Sequence, residues 1–267
     1  MGPTRDPFRL LIPTVLCVWI AFLPTPAIAQ GGAGVPESAE QEARALLHQV
    51  LEARGGVESF WRLAEVRRYG TLVIATSNGE RSLALRMTVR PPDRLTLETG
   101  DGDELVRRTL GPSGAYQTTG GGEPVEIDAS DTDHLRRLIR IDEAFLVRNA
   151  LAGVLRPMDV GPAGPGQLPE DMEVVSGRSI RIRGPQGQDY RLVLPEEGGL
   201  PRRIDYASHG PEDEKRDVTD LFMDWRDVDG LLFPFETVMF EGGKARMLVR
   251  YDRVEVDLAP TPVSQTP

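Results

Sequence analysis

The sequence predicts a mainly β fold with helices, in which an antiparallel sheet of about 11 strands offers a concave surface to a broad apolar helix. Three observations predict it. From residue 66 onward the apolar residues alternate with period two, and Asn78-Gly79, Asp101-Gly102, Asp229-Gly230 and Gly242-Gly243 mark tight turns between the runs. A single helical pattern over 130–157 interrupts the strands, and its apolar face is wider than one contact stripe.

Residues 1–29 read as a secretory signal peptide. Arg5 and Arg9 precede the apolar "LLIPTVLCVWIAFL", and the small residues "AIA" precede Gln30. That run is too short and too interrupted by proline to serve as a membrane anchor. The one cysteine, Cys17, falls inside it, so the exported chain carries no disulfide and relies on its core. A flexible leader is expected at 30–38, a single domain at 39–258 and a disordered tail at 259–267.

Charge narrows the partners. With 31 basic and 41 acidic residues, the net charge is −10, and no basic stripe is present. Nucleic acid is excluded as a partner, and anionic membrane surfaces are disfavoured.

The first helix is expected over 39–56, where Ala43, Leu46, Leu47, Val50 and Leu51 share one stripe and Gly55-Gly56 ends it. Helical character continues over 57–66. Strands follow at about 66–76, 80–90, 94–99, 104–110 and 114–119. The long helix comes next, capped by Ser130 or Asp131 and closed by Pro157, with Leu135, Leu138, Ile139, Phe145 and Leu146 on its apolar face. The Gly- and Pro-rich "DVGPAGPGQLPED" at 159–171 reads as an irregular linker. Strands resume at about 172–183, 188–194, 201–208, 216–228, 231–241 and 244–257.

The last three strands specify a register. A two-residue turn at Asp229-Gly230 sets Trp225 opposite Pro234 and Leu221 opposite Val238; one at Gly242-Gly243 sets Val238 opposite Met247 and Phe240 opposite Ala245. One side then carries Leu221, Met223, Trp225, Val238, Phe240 and Met247, and the other adds Phe222, Phe233, Phe235 and Met239 to its charges. Two faces compete for cover, and the pattern leaves open which of them is enclosed.

Catalytic motifs are missing. His48, His134 and His209 are isolated, no nucleophile elbow or zinc signature occurs, and "DGDE" at 101–104 lacks the later ligands of a calcium loop. We expect neither an enzyme nor a metal or other cofactor.

The order of several short elements resembles a known family. "LEARGG", "VRRYGTLVIA", "VRPPDRLTLE", a covering helix, "VSGRSIRI", "GGLPRRIDY" and "DWRDVDGLLFPFE" together are similar to the periplasmic lipoprotein-carrier proteins, the LolA-like and LolB-like family. The resemblance implies an incomplete β-barrel whose concave side is closed by helices, located in the periplasm. It implies a carrier, most simply a monomer, that buries lipid or lipoprotein acyl chains and exchanges them with membrane-bound donor and acceptor proteins. The cavity would be lined by Leu138, Phe145 and Leu146 from the helix and by Met223, Trp225, Val238, Phe240 and Met247 from the strands. Arg90 in "VRPPDR" stands where the carrier has an arginine that fastens its lid. Two alternatives stay open: these side chains form a filled core, or the domain senses lipid or envelope stress and reports to a membrane-bound partner.

Overall fold

The computed structural model describes residues 37–169, 172, 177–209 and 215–260. The expected signal peptide, most of the leader and the tail beyond residue 260 lie outside them. Helices α1 (Glu37–Ala53) and α2 (Val57–Arg62) lead into strands β1 (Leu63–Thr76), β2 (Gly79–Arg90), β3 (Arg94–Thr99), β4 (Val106–Gly111), β5 (Gly114–Thr119) and β6 (Val125–Glu126). Helices α3 (Ala129–Ile141) and α4 (Leu146–Leu151) follow. Strands β7 (Arg156–Pro162), β8 (Gly177–Arg183), β9 (Asp189–Pro195), β10 (Arg203–His209), β11 (Lys215–Val228), β12 (Leu231–Glu241) and β13 (Lys244–Leu258) complete the domain.

The 13 strands among the described residues form one antiparallel sheet in the order β6-β5-β4-β3-β2-β1-β13-β12-β11-β10-β9-β8-β7. Its ends do not meet, and this curved open sheet fits an incomplete barrel. The first and last long strands meet in its middle: β1 pairs with β13 from Leu63 opposite Leu258 to Ile74 opposite Met247. Two strands exceed the expected number. The pair β6 is too short to carry a periodic signal, and β7 occupies part of the stretch read as an irregular linker.

The long helix is two helices. α3 stops at Ile141, α4 starts at Leu146, and Pro157 lies in β7 instead of closing a helix. The start also differs: the Asp128 side chain accepts from the Asp131 N–H at 2.8 Å, so Asp128 is the cap and neither Ser130 nor Asp131 is. Asp142 explains the break. Its backbone leaves the helical region at φ −50°, ψ 127°, and its carboxylate accepts from the Ala144 N–H, a local bond that competes with helix propagation.

α1 presents Ala43, Leu46, Leu47, Val50 and Leu51, all buried, to β7, β8 and α4, as its stripe predicts. It begins at Glu37, two residues inside the expected leader. α2 ends at Arg62 because Leu63 already joins the sheet.

The two turns in the aromatic region behave as their glycines require. Asp229 and Gly230 have φ of 53° and 82°, Gly242 and Gly243 of 58° and 72°, the left-handed pairs that match strand twist. Trp225 faces Pro234, Leu221 faces Val238, and Phe240 faces Ala245. The fourth expected pair is incorrect. Between Met239 and Phe240 the register shifts by one, so Val238 faces Leu248 and Met239 faces Met247. A bulge of one residue exchanges the faces of everything beyond it.

On the outer face the segment 163–169 covers β10 and β11. Arg203, fully buried, donates to the Gly164 carbonyl, and the Gln167 N–H donates to Thr219 Oγ1 at 2.8 Å. Gly166 sits so close that a Cβ there would meet Asp205, Thr219 and Arg203 at 3.0–3.1 Å.

Candidate functional site

Between α3 and the inner face of the sheet lies a cavity of about 520 Å³. α3 contributes Leu138 and Ile141, and the sheet contributes Leu72 from β1, Leu85 and Met87 from β2, Leu97 from β3, Phe222 from β11, Met239 from β12, and Met247 and Val249 from β13. Leu72, Leu85 and Val249 form a small buried cluster of their own, with Ile74, Leu97, Met247 and Tyr251 packed around it only in part. An apolar floor that is half covered leaves space a ligand can fill, and the volume lies within the usual range of about 300–1,000 Å³ for small-molecule pockets.

The bulge in β13 makes this floor. Met239 belongs to the face read as charged and Met247 to the opposite one, yet the slipped register sets them side by side on the cavity wall. Without the slip, β13 would turn Met247, Val249 and Tyr251 outward.

One end of the cavity is closed by a buried ionic cluster. Arg68 of β1 is completely buried and donates to both Asp142 oxygens, at 2.8 and 3.0 Å, and to Glu143. Burial disfavours the Arg68 charge, but Asp142 and Glu143 outweigh it and hold its pKa above the ordinary value. Burial pushes Glu143 up, against the pull of Arg68. Arg54, at the end of α1, donates to the carbonyls of Glu143 and Leu232. Its guanidinium lies over Phe60, Trp225 and Phe233 at 4.7, 5.1 and 5.7 Å, and burial lowers its pKa to about 10. Two arginines from the core thus hold the 142–145 turn, and α3 with it.

The other end is polar. Ser208, Arg216 and Glu241 line it from the sheet, and His134 and Arg137 from α3. Arg216 and Glu241 form an ion pair at 3.4 Å. Further in, Tyr206 donates to Asp220 Oδ2 at 3.1 Å, while Asp220 Oδ1 is buried without a partner among the described residues. Burial raises the Asp220 pKa to about 7 and the Tyr206 pKa well above its ordinary value.

Of the residues expected to line a cavity, Leu138 and Met247 line this one. Phe145 and Leu146 are buried in the main core, beside the ionic cluster. Met223, Val238 and Phe240 alternate with the lining residues Phe222, Thr237, Met239 and Glu241, and so point to the other face. Trp225 packs edge-on to Phe222 at 6.3 Å, because Asp224 has φ 53° and breaks the alternation, but it stops short of the lining. Arg90 is half exposed and pairs with Glu65 of β1. The arginine that grips the α3–α4 turn is Arg68, and nothing in "VRRY" distinguishes it from a solvated strand arginine. Met239 and Phe222 carried a legible signal as apolar residues on a charged face; Asp142, Glu143, Asp220 and Arg137 carried none.

Among the described residues no group of three or more His, Cys, Asp or Glu side chains is placed to hold a metal ion, and no helix is long and apolar enough to cross a membrane.

No family model and no curated protein sequence matches the chain. Solved structures do. A LolA superfamily protein from Nitrosomonas europaea superposes with a TM-score of 0.52 at 10% identity, over 82% of this chain and 94% of that one. A putative outer membrane lipoprotein-sorting protein domain from Vibrio parahaemolyticus superposes with a TM-score of 0.51 at 6% identity, over 84% and 95%. At such identities the likeness speaks to architecture alone, and it agrees with the open sheet and its inner helices: the chain has the LolA-like fold.

Proposed function

We propose that the protein is a periplasmic carrier that reversibly buries the acyl chain of a lipid or lipoprotein beneath α3, without covalent chemistry. The observation that supports this most is the apolar floor inside a LolA-like fold, where buried Leu72, Leu85 and Val249 are ringed by Leu97, Met247 and Tyr251 that are only partly buried. An acyl chain of about 16 carbons contributes on the order of 12 kcal/mol when its methylenes leave water, before ordering costs are subtracted. A shielded apolar cavity is what such a chain needs in order to cross an aqueous compartment. Membrane-bound donor and acceptor proteins would load and unload it. Native mass spectrometry of the exported protein tests the reading: a lipid-sized mass excess that solvent extraction removes supports it, and a bare polypeptide that also refuses added fatty acid refutes it.

A sensing role is the second reading, favoured by the open sheet. Among the described residues, strands β6 and β7 each have one unpaired edge, where a partner strand could add. A membrane-fraction partner lost on mutating β7, with lipid uptake intact, would favour this reading over the carrier.

A further inference from the structure

Resting on the carrier reading, we propose that the ligand is an anionic amphiphile whose carboxylate or phosphate head is held at the cavity mouth by Arg137 and Ser208. Arg137 lies on α3 one residue before Leu138, so a head bound there leaves its chain at the apolar floor. One of its nitrogens contacts His134 Nδ1 at 2.7 Å and donates to Ser208 Oγ at 3.3 Å. Among the described residues no carboxylate lies within ion-pair distance of it, although the chain as a whole is strongly acidic. The remaining guanidinium donors are available for an anion, and the planar fork suits either head.

The surrounding charges agree. His134 is exposed, and partial desolvation of its ring, then Arg137 and Arg108, hold its pKa below the ordinary value, with Asp131 opposing. Arg108 donates to the uncharged Gln117 at 2.8 Å, and among the described residues it makes no ion pair. Of the acids at this end, Glu241 is engaged by Arg216, and Asp220 sits deeper, accepting from Tyr206. The mouth therefore offers a cation to an incoming head beside a greasy interior.

The test uses a fluorescent C18 fatty acid, its methyl ester and a lysophosphatidic acid of similar chain length. The wild-type protein should bind the acid about ten-fold more tightly than the ester, as expected for a charge-assisted contact at a half-buried site. Arg137→Gln should remove that difference while leaving the ester affinity unchanged. The lysophosphatidic acid identifies the head: tighter than the fatty acid means phosphate, weaker means carboxylate, and both fit an anionic head. Equal binding of acid and ester by the wild type, or an equal loss of both in Arg137→Gln, overturns the anionic head and leaves the carrier standing. Failure of the wild type to bind any of the three overturns the carrier as well.

Discussion

Arg68 and Asp142 meet through two N–H···O contacts of 2.8 and 3.0 Å, joining the first half of β1 to the turn between α3 and α4. Neither side chain reaches solvent to any useful extent, with 0% and 3% exposure, so each charge depends on the other. Removing one partner leaves the second buried and unpaired, which is far more costly than losing a surface pair.

Arg68→Met should therefore destabilise the protein by roughly 3–5 kcal/mol. Urea denaturation measures it. A change below about 1 kcal/mol would place the pair among the weak surface ones.

Arg90 is the contrasting case. It is 52% exposed, and its partner Glu65 also has Arg67. We expect Arg90→Leu to change stability by no more than about 1 kcal/mol and to leave the release rate of a bound fatty acid as it was, whereas Arg68→Met should accelerate release by loosening α3. A release rate altered by Arg90→Leu would return the latch to Arg90.

Asp220 predicts a pH dependence. Its folded pKa of about 7 lies above the ordinary 3.8, so the native state holds the proton more tightly than the unfolded chain. Its contribution favours folding fully below about pH 4, is lost as the pH rises to about 7, and is flat above that. Asp220→Asn stays neutral and still accepts from Tyr206. The variant should gain on the wild type between pH 4 and 7, by up to about 4 kcal/mol, and the gain should level off above pH 7. Melting curves at pH 4 and pH 8 that show the same difference between the two proteins would contradict it.

Phe145 and Leu138 separate core from cavity. Phe145 has no exposure and belongs to the main core, so Phe145→Ala should cost about 3–5 kcal/mol. Leu138 faces the cavity, and Leu138→Ala should cost less than about 2 kcal/mol because few atoms surround it on that side. Equal losses in the two variants would mean that the space beside Leu138 is filled.

Much of the architecture was legible. The period of two, the Asp229-Gly230 and Gly242-Gly243 turns and the α1 stripe are local signals, and the corresponding elements appear where those signals lie; Asp101-Gly102 instead leads into a short 3₁₀ turn (Gly102–Glu104) within the longer β3–β4 connection, not a tight hairpin. What failed was what depends on single residues acting at a distance. Asp142 ends α3 through its own backbone and carboxylate, a choice no apolar periodicity records. The bulge beside Phe240 inverts the faces of β13, so a correct turn still leads to Met247 opposite the wrong residue. Arg68 and Arg137 read alike in sequence, as charges among charges; only the fold buries the first under the turn and leaves the second at the mouth.

The most direct test is a fluorescence titration of the wild-type protein with a C18 fatty acid, alongside a variant carrying Met239→Gln and Met247→Gln. These side chains face each other on the cavity wall, and the replacements keep their size while setting unpaired amides against the chain. Saturable uptake of one chain per protein, weakened at least about ten-fold in the variant with its cooperative unfolding retained, is the predicted result. No saturable uptake by the wild type, or equal uptake by both proteins, would contradict an acyl chain lying between α3 and the sheet.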